Sequence, residues 1–331
     1  STLISKTVAE VRKMQIGNSN HNYAWHEKWV EAPGPDSVKD GWAHHGIVVS
    51  SKTGNVITFH QSEPRILVFS QQGELVNSWE AGVENAHGMT LVQENNDEFL
   101  WLADNLSGQV VKVSVDGDQS MSISRPDIDI YNSGEKYSPT DVAVYEEKNG
   151  GNGDIIVADG YGSSLIHFYT KSGDYIKTID GTEGEGGRFA TPHGIWVDTR
   201  KDNHELYIAD RSNGQIQVYS LDGSFLRAFG TGAGADWLHS PSGFAAWGEL
   251  LIVAELRGSR ITLLDLDDEP VAYLGENTGA FKFNEGWPNV PHSTLVPGKF
   301  NSPHGIASDG DGNIFVAEWL IGGRINKLTR S

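Results

Sequence analysis

The chain of 331 residues has no cysteine and no long run of apolar side chains. Without cysteine it can form no disulfide, and it has no thiol to serve as a nucleophile or an iron–sulfur ligand. Without an apolar stretch of about 18 residues, no segment is predicted to cross a bilayer as a helix. We therefore expect a soluble protein, and the sequence leaves open whether it is cytoplasmic, periplasmic or secreted.

Basic residues are scarce as well. Lysine and arginine number 25 against 44 aspartates and glutamates, which gives a formal net charge of −19. Such a surface repels the phosphates of nucleic acids and the head groups of anionic lipids. We therefore expect neither a nucleic-acid partner nor a membrane partner, and a small molecule or a peptide remains as the expected substrate.

Glycine is abundant, and many of the 39 glycines belong to one repeated pattern. The pattern begins with a small residue or proline, then a polar residue and usually glycine. A short apolar strand, a polar turn and a second apolar strand that ends in an acid follow. It recurs at intervals of roughly 40 to 60 residues, as in propeller repeats. The polar residues that open the six copies are His45, His87, Asp141, His193, Ser242 and His304.

Each copy contains four short apolar runs divided by turn signals such as Asp-Gly, which is the sequence pattern of a propeller blade. Six copies predict an all-β fold, a six-bladed β-propeller. We predict one domain over residues 1–331, in which residues 1–17 supply a strand that closes the ring. Residues 18–42 are predicted to form a loop, and residues 43–331 the six blades.

Three histidines open alternate blades, at His87, His193 and His304. The first strand of every blade lines the central channel, so these side chains are expected to converge on the axis from directions about 120° apart. Three histidines with an open fourth position form a catalytic type of zinc site. Zn²⁺ is the expected metal, with Fe²⁺ or another divalent ion as the alternative. A structural alternative is that each imidazole only bonds the backbone of the neighbouring blade.

His45 opens the first blade and breaks this three-fold pattern. It could be a fourth ligand, a general base or a structural residue, and we include it among the catalytic candidates. The acids that end the second strands recur so regularly that we predict a structural role for them, in bonding backbone N–H groups of nearby turns. They are Asp104, Asp159, Asp210, Glu255 and Glu318.

The residues just after these acids differ from blade to blade, as the residues around a substrate would. Tyr161 is a candidate general base or oxyanion donor, and Arg211 a candidate clamp for a substrate carboxylate. The further candidates for substrate contact are Gln61, Asn105, Asp141, Arg257 and Trp319. In the loop 275–301, Trp287, Pro288 and His292 are candidate walls of the channel mouth.

Residues 43–330 resemble the NHL-repeat propellers, and among these the peptidyl-α-hydroxyglycine α-amidating lyases. The resemblance is densest at residues 138–144, 157–161, 191–194, 209–211 and 302–304. It implies a zinc held by His87, His193 and His304. It also implies a catalytic tyrosine at Tyr161 and a functional arginine at Arg211.

The chain departs from that family at several positions. Gln61 stands where the family has an essential arginine, and Gly305 stands where it has an aspartate that helps to hold calcium. A Ca²⁺ site is therefore left open. The two disulfides of the family are absent, and His45 is additional.

Three functions are consistent with the sequence. The first is a metal-dependent lyase that breaks a carbon–nitrogen bond in an α-hydroxy amide or a related substrate. The second is a metal-dependent hydrolase of the gluconolactonase type, whose calcium would need channel carboxylates; only Asp141 stands at the channel mouth. The third is a non-catalytic NHL propeller that binds a partner.

Overall fold

The computed structural model describes residues 14–231 and 237–331. Over these residues the protein is a six-bladed β-propeller, as predicted. Two strands, β1 (Gln15–Gly17) and β2 (Asn22–Val30), and a short helix, α1 (Pro35–Asp40), precede the first blade. Blade one contains β3 (Ile47–Val49), β4 (Val56–Phe59), β5 (Arg65–Phe69) and β6 (Leu75–Glu80). Blade two contains β7 (Ala86–Glu94), β8 (Asp97–Asp104), β9 (Gln109–Ser114) and β10 (Gln119–Ile123), and the helix α2 (Asp129–Asn132) follows it.

The remaining blades repeat this order. Blade three contains β11 (Asp141–Val144), β12 (Ile155–Asp159), β13 (Leu165–Tyr169) and β14 (Tyr175–Ile179). Blade four contains β15 (Pro192–Asp198), β16 (Glu205–Asp210), β17 (Gln215–Ser220) and β18 (Phe225–Phe229). Blade five contains β19 (Pro241–Trp247), β20 (Leu250–Glu255), β21 (Arg260–Leu264) and β22 (Pro270–Leu274), followed by the helix α3 (Ala280–Phe283). Blade six contains β23 (Pro303–Ser308), β24 (Ile314–Glu318) and β25 (Arg324–Arg330).

Every sheet is antiparallel, and the first strand of each blade is its innermost strand. Blade six also carries two N-terminal strands outside β25. The six inner strands contact one another in a closed ring around the channel. Each inner strand begins at one face, which we call the mouth. In each complete blade, the turn between the first and second strands and the turn between the third and fourth strands therefore lie at the opposite face.

The ring is closed by an N-terminal strand, as predicted, but the position of that strand was predicted wrongly. The closing strand is β2, which pairs with β25 so that Trp25 lies opposite Leu328. It falls inside residues 18–42, which were predicted to be a loop. β1 is a fifth strand outside it, and residues 1–13 lie outside the described residues.

The physical reason for this difference lies in the aromatic residues of the segment. Tyr23 and Trp25 are buried, and Trp25 packs edge-on against Phe300 with ring centroids 4.8 Å apart. Aromatic residues favour a half-buried strand position. The loop prediction rested on the flanking asparagine, proline and glycine, and this apolar face outweighs them.

Neighbouring blades pack face to face through apolar side chains from their middle strands. Between blades five and six, for example, Ile252 and Ala254 pack with Val316 and Leu328, all at most 1% exposed. Burying an aliphatic side chain of this size contributes about 1.5–3 kcal/mol to stability. The inter-blade cores make the wall of the channel rigid enough to hold side chains at fixed positions.

The acids at the ends of the second strands have the structural role that the repeat predicts. Asp159 accepts hydrogen bonds from the backbone N–H groups of Ser138 (2.6 Å) and Ser163 (2.7 Å). Glu318 accepts them from Asn301 (2.6 Å) and Ser302 (3.0 Å). Each acid thereby fixes the segment that leads into the inner strand of its own blade.

The glycine that follows each channel histidine has a steric reason. A Cβ atom at Gly88 would lie 2.5 Å from the carbonyl oxygen of Thr140 in the next blade. A Cβ atom at Gly305 would lie 2.7 Å from the carbonyl oxygen of His45. Only glycine lets adjacent inner strands approach this closely, and that approach brings the preceding imidazole within reach of the same carbonyl.

Within the described residues, none of the helices has the length and apolar character needed to cross a bilayer.

Candidate metal centre

The three histidines of alternate blades converge on the channel axis. His87, His193 and His304 are the second residues of β7, β15 and β23, and all three are buried. The Nδ1 atom of each lies near a carbonyl oxygen of the next blade. The distances are 2.7 Å from His87 to Thr140, 2.6 Å from His193 to Ser242 and 3.2 Å from His304 to His45.

These contacts fix the tautomer of the three rings. A carbonyl oxygen only accepts hydrogen bonds, so Nδ1 must carry the proton and Nε2 must keep its lone pair. A backbone partner of this kind on the second ring nitrogen is typical of histidines that bind metals. The backbone contact foreseen as a structural alternative is therefore present, and it leaves the Nε2 lone pair available for a metal.

The Nε2 atoms face one another at short range. Those of His87 and His304 are 3.1 Å apart, with no proton from either ring to lie between them. Two nitrogens bound to one tetrahedral zinc at 2.0–2.1 Å would be about 3.4 Å apart. Facing lone pairs repel each other, and a cation between them removes that repulsion. The donor set therefore fits a divalent metal ion.

A fourth imidazole, that of His44, completes the cluster. Its Nε2 lies 3.2 Å from Nε2 of His87 and 3.0 Å from the hydroxyl oxygen of Tyr161. One ligand atom from each of the four histidines lies within 4.8 Å of every other. Unlike the other three, His44 has no hydrogen-bond partner for Nδ1 among the described residues.

His45 was the predicted candidate and its neighbour His44 was not considered; the structure corrects that prediction. His45 is turned into blade one, where Nδ1 contacts the Gly46 carbonyl at 3.1 Å and the Thr58 hydroxyl at 3.2 Å. β7 and β23 begin one residue before their histidines, whereas β3 begins two residues after His45. The ring of His45 therefore does not occupy the equivalent position, and this residue contributes its backbone carbonyl to His304. Two adjacent histidines were the signal in the sequence, but the repeat could not decide between them.

Tyr161 and Arg211 both reach the cluster. Tyr161 follows the end of β12, and its hydroxyl oxygen is 3.0 Å from Nε2 of His193. Arg211 follows β16, and its Nη1 donates a hydrogen bond of 3.0 Å to the same oxygen. The guanidinium also lies over the tyrosine ring, 5.2 Å from its centroid. The phenol thus connects His44, His193 and Arg211.

Burial keeps the four imidazoles neutral. It lowers the pKa of His87 to about 3, with the Arg211 and His45 charges adding to the effect. Burial, followed by the charges of Arg211 and neighbouring histidines, also holds the pKa values of His44, His193 and His304 well below their usual range. Neutral imidazole is the form that binds metals. Burial raises the pKa of Tyr161, and the charge and hydrogen bond of Arg211 oppose that rise.

An aromatic wall stands on one side of the cluster. The ring of His44 stacks on Trp319 with centroids 4.7 Å apart, and Trp42 stacks on Trp319 at 5.3 Å. Trp319 was among the candidates for substrate contact, whereas Trp42 was missed because it lies in the segment taken as a loop. Trp287 approaches Trp319 edge-on at 6.5 Å, and His292 instead bonds the Ile321 carbonyl at 2.8 Å.

Asn105 and Gln61 do not lie where candidates for substrate contact were expected. Asn105 accepts a 2.8 Å hydrogen bond from Asn85, which also donates to the backbone carbonyl of His44 at 3.0 Å. Asn105 therefore acts on the cluster through Asn85. Gln61 does not reach the cluster. Its amide donates to the carbonyls of Val38 (3.2 Å) and Gly322 (3.0 Å), and Gln61 thereby ties the α1 segment to blade six.

Asp141 lies in the channel wall and Arg257 lies at the mouth. The two carboxylate oxygens of Asp141 accept backbone hydrogen bonds from Val142 (2.9 Å) and Ile195 (3.0 Å). Burial raises the pKa of Asp141 to about 7 against the effect of these bonds. Arg257 is exposed and lies over the ring of Phe281, 4.7 Å from its centroid.

The channel continues beyond the histidines as a cavity of about 440 Å³. Its wall includes Met89, Ile195, Phe244 and Ile306 beside Asp141. This wall also contains polar side chains, among them Thr140 and Ser242, and the imidazole donors for a metal stand at its end near the mouth.

Comparisons with known proteins support the fold and the resemblance. A family model described as a 6-bladed beta-propeller matches residues 149–231. NHL repeat-containing protein 3 of Homo sapiens is 28% identical over 71% of this chain and 71% of its own length. Peptidyl-alpha-hydroxyglycine alpha-amidating lyase 1 of Drosophila melanogaster is 28% identical over 95% of this chain and 61% of its own length. A solved streptogramin B lyase superimposes with a TM-score of 0.62 at 18% identity, over 93% of this chain and 98% of that one.

The chain is thus a six-bladed β-propeller similar to NHL-repeat proteins and to amidating lyases. It spans less than two thirds of the length of the Drosophila lyase. The solved lyase structure shares the fold, and at that identity it carries no information about the substrate.

Proposed function

We propose that the protein is a metal-dependent lyase that cleaves the carbon–nitrogen bond of an α-hydroxy amide at the channel mouth. The observation that carries the proposal is the set of facing Nε2 atoms, three of them fixed by Nδ1 contacts to carbonyl oxygens. The contact of Tyr161 and Arg211 with this set adds a proton-transfer group and an anion-binding group. The similarity to a Drosophila amidating lyase over most of this chain supports the reaction class.

The ligand types favour zinc or iron over calcium. His87, His193 and His304 would hold the metal through nitrogen, whereas calcium takes six to eight oxygen ligands. When bound, such a metal acts as a Lewis acid that makes a coordinated hydroxyl group easier to deprotonate. The three imidazoles are already neutral and oriented, so binding costs little rearrangement of the protein.

Tyr161 and Arg211 divide the remaining chemistry. In the phenolate form, which the charge and hydrogen bond of Arg211 favour, the Tyr161 oxygen would accept the proton of the substrate hydroxyl, and the carbonyl of the aldehyde product would form as the carbon–nitrogen bond breaks. The same proton then passes to the departing nitrogen, so the products are an amide and an aldehyde and no other reactant is needed. The Arg211 donors that do not bond Tyr161 would hold a carboxylate on the α-carbon, and the guanidinium charge stabilises the phenolate.

His44 is proposed as a replaceable fourth ligand. Three histidines are fixed by backbone carbonyls, whereas the His44 side chain is held by stacking on Trp319 and by contacts to the cluster itself. A ligand that can leave would make room at such a metal for a substrate oxygen, as a catalytic site requires. The aromatic wall would then contact the substrate arm.

The donor set argues against a calcium-dependent lactonase. Asp141 is the one carboxylate among the residues that open the blades, and both of its oxygens accept backbone hydrogen bonds. A propeller that only binds a partner would have no need for buried neutral imidazoles facing one another. We therefore rank the lactonase second and the binding propeller third.

Turnover of an N-acyl-α-hydroxyglycine, followed as glyoxylate released, tests the reaction. We expect the purified full chain to release glyoxylate, to lose this activity after chelation and dialysis, and to recover it with one equivalent of Zn²⁺ or Fe²⁺. Full activity after the metal has been removed would reject the proposal, as would hydrolysis of an aldonolactone that depends on Ca²⁺ with no release of glyoxylate.

A further inference from the structure

A cleft of about 480 Å³ lies at the mouth beside the metal centre. Its wall includes Arg211, Arg257, His239, Phe281 and Lys282, and we call it the cationic cleft. Its volume lies in the range of ligand-binding pockets. Arg211 belongs to both sites, since its Nη1 bonds the Tyr161 hydroxyl while the residue also lines the cleft. A ligand that occupies the metal centre can therefore extend into the cleft.

The part of the chain that the structure describes supplies no ion-paired acid for three of the cations of this cleft. Within the described residues, no carboxylate forms an ion pair with Arg211, Arg257 or Lys282. The acid in the wall is Glu276, and it pairs with Arg260 at 3.5 Å. Arg260 in turn is buried and also pairs with Glu255 at 2.9 Å.

The chain as a whole is strongly acidic, with a formal net charge of −19, so a positively charged cleft stands out against the rest of the protein. With 44 acids against 25 bases, a lysine or arginine on this protein has many acids available. Lys52, Lys171 and Arg188 are surface cations that pair with an acid, whereas others, such as Arg125 and Lys201, form no ion pair within the described residues. What distinguishes the cleft is that three such cations are grouped in one place. Three cations that share one cleft, with no ion-paired acid among the residues that the structure describes, leave its positive potential for a ligand.

The side chains also define the chemistry of the ligand. Arginine presents a planar fork of donors that suits a carboxylate, and Arg257 is held over the ring of Phe281 with its edge available. Phe281 is 38% exposed and Phe283 is 82% exposed, so apolar surface lies beside the charges. This mixture suits a peptide that carries acidic side chains.

We propose that the cationic cleft binds acidic side chains on the peptide arm of the substrate, next to the α-hydroxyglycine end that the metal centre receives. The inference rests on the proposed lyase function for the identity of that end. It adds the substrate class: peptides with glutamate or aspartate in the positions just before the reacting residue.

Calorimetry with two acetylated pentapeptides tests the cleft directly. One ends in Glu-Glu-Gly and the other in Gln-Gln-Gly, and both are titrated into the zinc-loaded full chain at low salt. We expect the glutamate peptide to bind about tenfold more tightly, because its two carboxylates would pair with the cations of the cleft and accept hydrogen bonds from arginine. The double variant Arg257→Gln/Lys282→Gln should lose the difference and keep its melting temperature.

A matched control removes two charges at the opposite face. Lys52→Gln/Lys171→Gln lowers the total charge by the same amount, but both residues lie in turns away from the mouth. It should keep the preference for the glutamate peptide. Equal affinity for the two peptides, no binding of either one, or a preference that survives in the Arg257/Lys282 double variant would overturn the proposal.

The outcome is separable from that of the lyase assay. Charge-selective binding by a protein that releases no glyoxylate supports the cleft and rejects the lyase. Release of glyoxylate without charge selectivity supports the lyase and rejects the cleft.

Discussion

At the scale of single residues, the site depends on which ring nitrogen of each histidine carries a proton. A backbone carbonyl at Nδ1 of His87, His193 and His304 makes that choice before any metal arrives. Preorganised ligands lose little conformational freedom on binding, and this favours a tight site. The glycine after each of these histidines lets the carbonyl of the neighbouring strand come close enough to contact Nδ1, which explains why histidine and glycine occur together in the repeat.

Replacing Tyr161 with phenylalanine separates proton transfer from metal binding. Tyr161→Phe removes the hydroxyl that contacts His193 and Arg211 and leaves the ring in place. We expect kcat to fall by about 10²–10⁴-fold, the usual contribution of a general base, while metal content stays at the wild-type level. A variant with unchanged kcat would show that the phenol takes no part in the reaction.

The buried histidines predict that the metal-free protein loses stability in weak acid. Burial lowers the pKa of His45 to about 4 and those of His87 and His167 to about 3. In the unfolded chain each titrates near 6.5, so below that pH the unfolded state binds more protons and folding is opposed. We expect urea unfolding at pH 5 to give a free energy several kcal/mol lower than at pH 7, since each such histidine costs about 1.4 kcal/mol per pH unit in this window. Equal stability at the two pH values would contradict the burial of neutral imidazoles.

At the scale of single elements, the inner strands are close enough to exclude a methyl group. Gly88→Ala would place Cβ 2.5 Å from the Thr140 carbonyl oxygen, the same atom that His87 bonds. We expect a loss of about 1–3 kcal/mol in the free energy of unfolding, together with weaker metal binding. The control is Gly310→Ala, because no atom lies within 4 Å of a Cβ there, and it should change stability by less than about 0.5 kcal/mol. Equal effects of the two substitutions would show that strand proximity does not constrain the site.

Strands and turns are easier to predict from the sequence than the site is, because the residues that form them act on their near neighbours in the chain. Alternating strands, Asp-Gly turns and acids at strand ends all act locally, so the six blades and the role of Asp159 were predictable. Whether His44 or His45 faces the channel depends on where β3 begins, at Ile47. A strand that begins one residue earlier or later turns each of its side chains to the other face.

Other errors arose because partners lie far apart in the chain. β2 was taken as a loop because its apolar face is buried by Phe300 and Leu328, about 300 residues further along the chain. Gln61 was placed at the site by analogy between blades, but Gly322 and Val38 hold its amide elsewhere. The cationic cleft could not be predicted from the sequence, because the pairing of each cation with an acid depends on the fold.

At the scale of the whole molecule, β2 joins the two ends of the ring. Trp25 is 6% exposed and packs against Phe300, so Trp25→Ala removes a large part of the contact that closes the propeller. We expect a loss of about 3–5 kcal/mol in the free energy of unfolding. Trp42→Ala is the control, since Trp42 is 48% exposed and its removal should cost much less stability. Similar losses for the two variants would contradict a closing role for β2.

The closed ring also explains how residues from distant parts of the chain form one site. His44, His87, His193 and His304 come from four blades, and only a complete ring brings their Nε2 atoms together. A metal at this point would link blades one, two, four and six, so it should stabilise the whole propeller as well as support the reaction.

Metal content measured by plasma mass spectrometry tests the central claim most directly. We expect about one zinc or iron per chain in the purified protein and almost none in His193→Ala. The control His204→Ala removes an imidazole from the same blade at the opposite face and should retain the metal. Absence of zinc and iron from the wild-type protein, even after dialysis against either ion, or equal metal content in the two variants, would contradict the account.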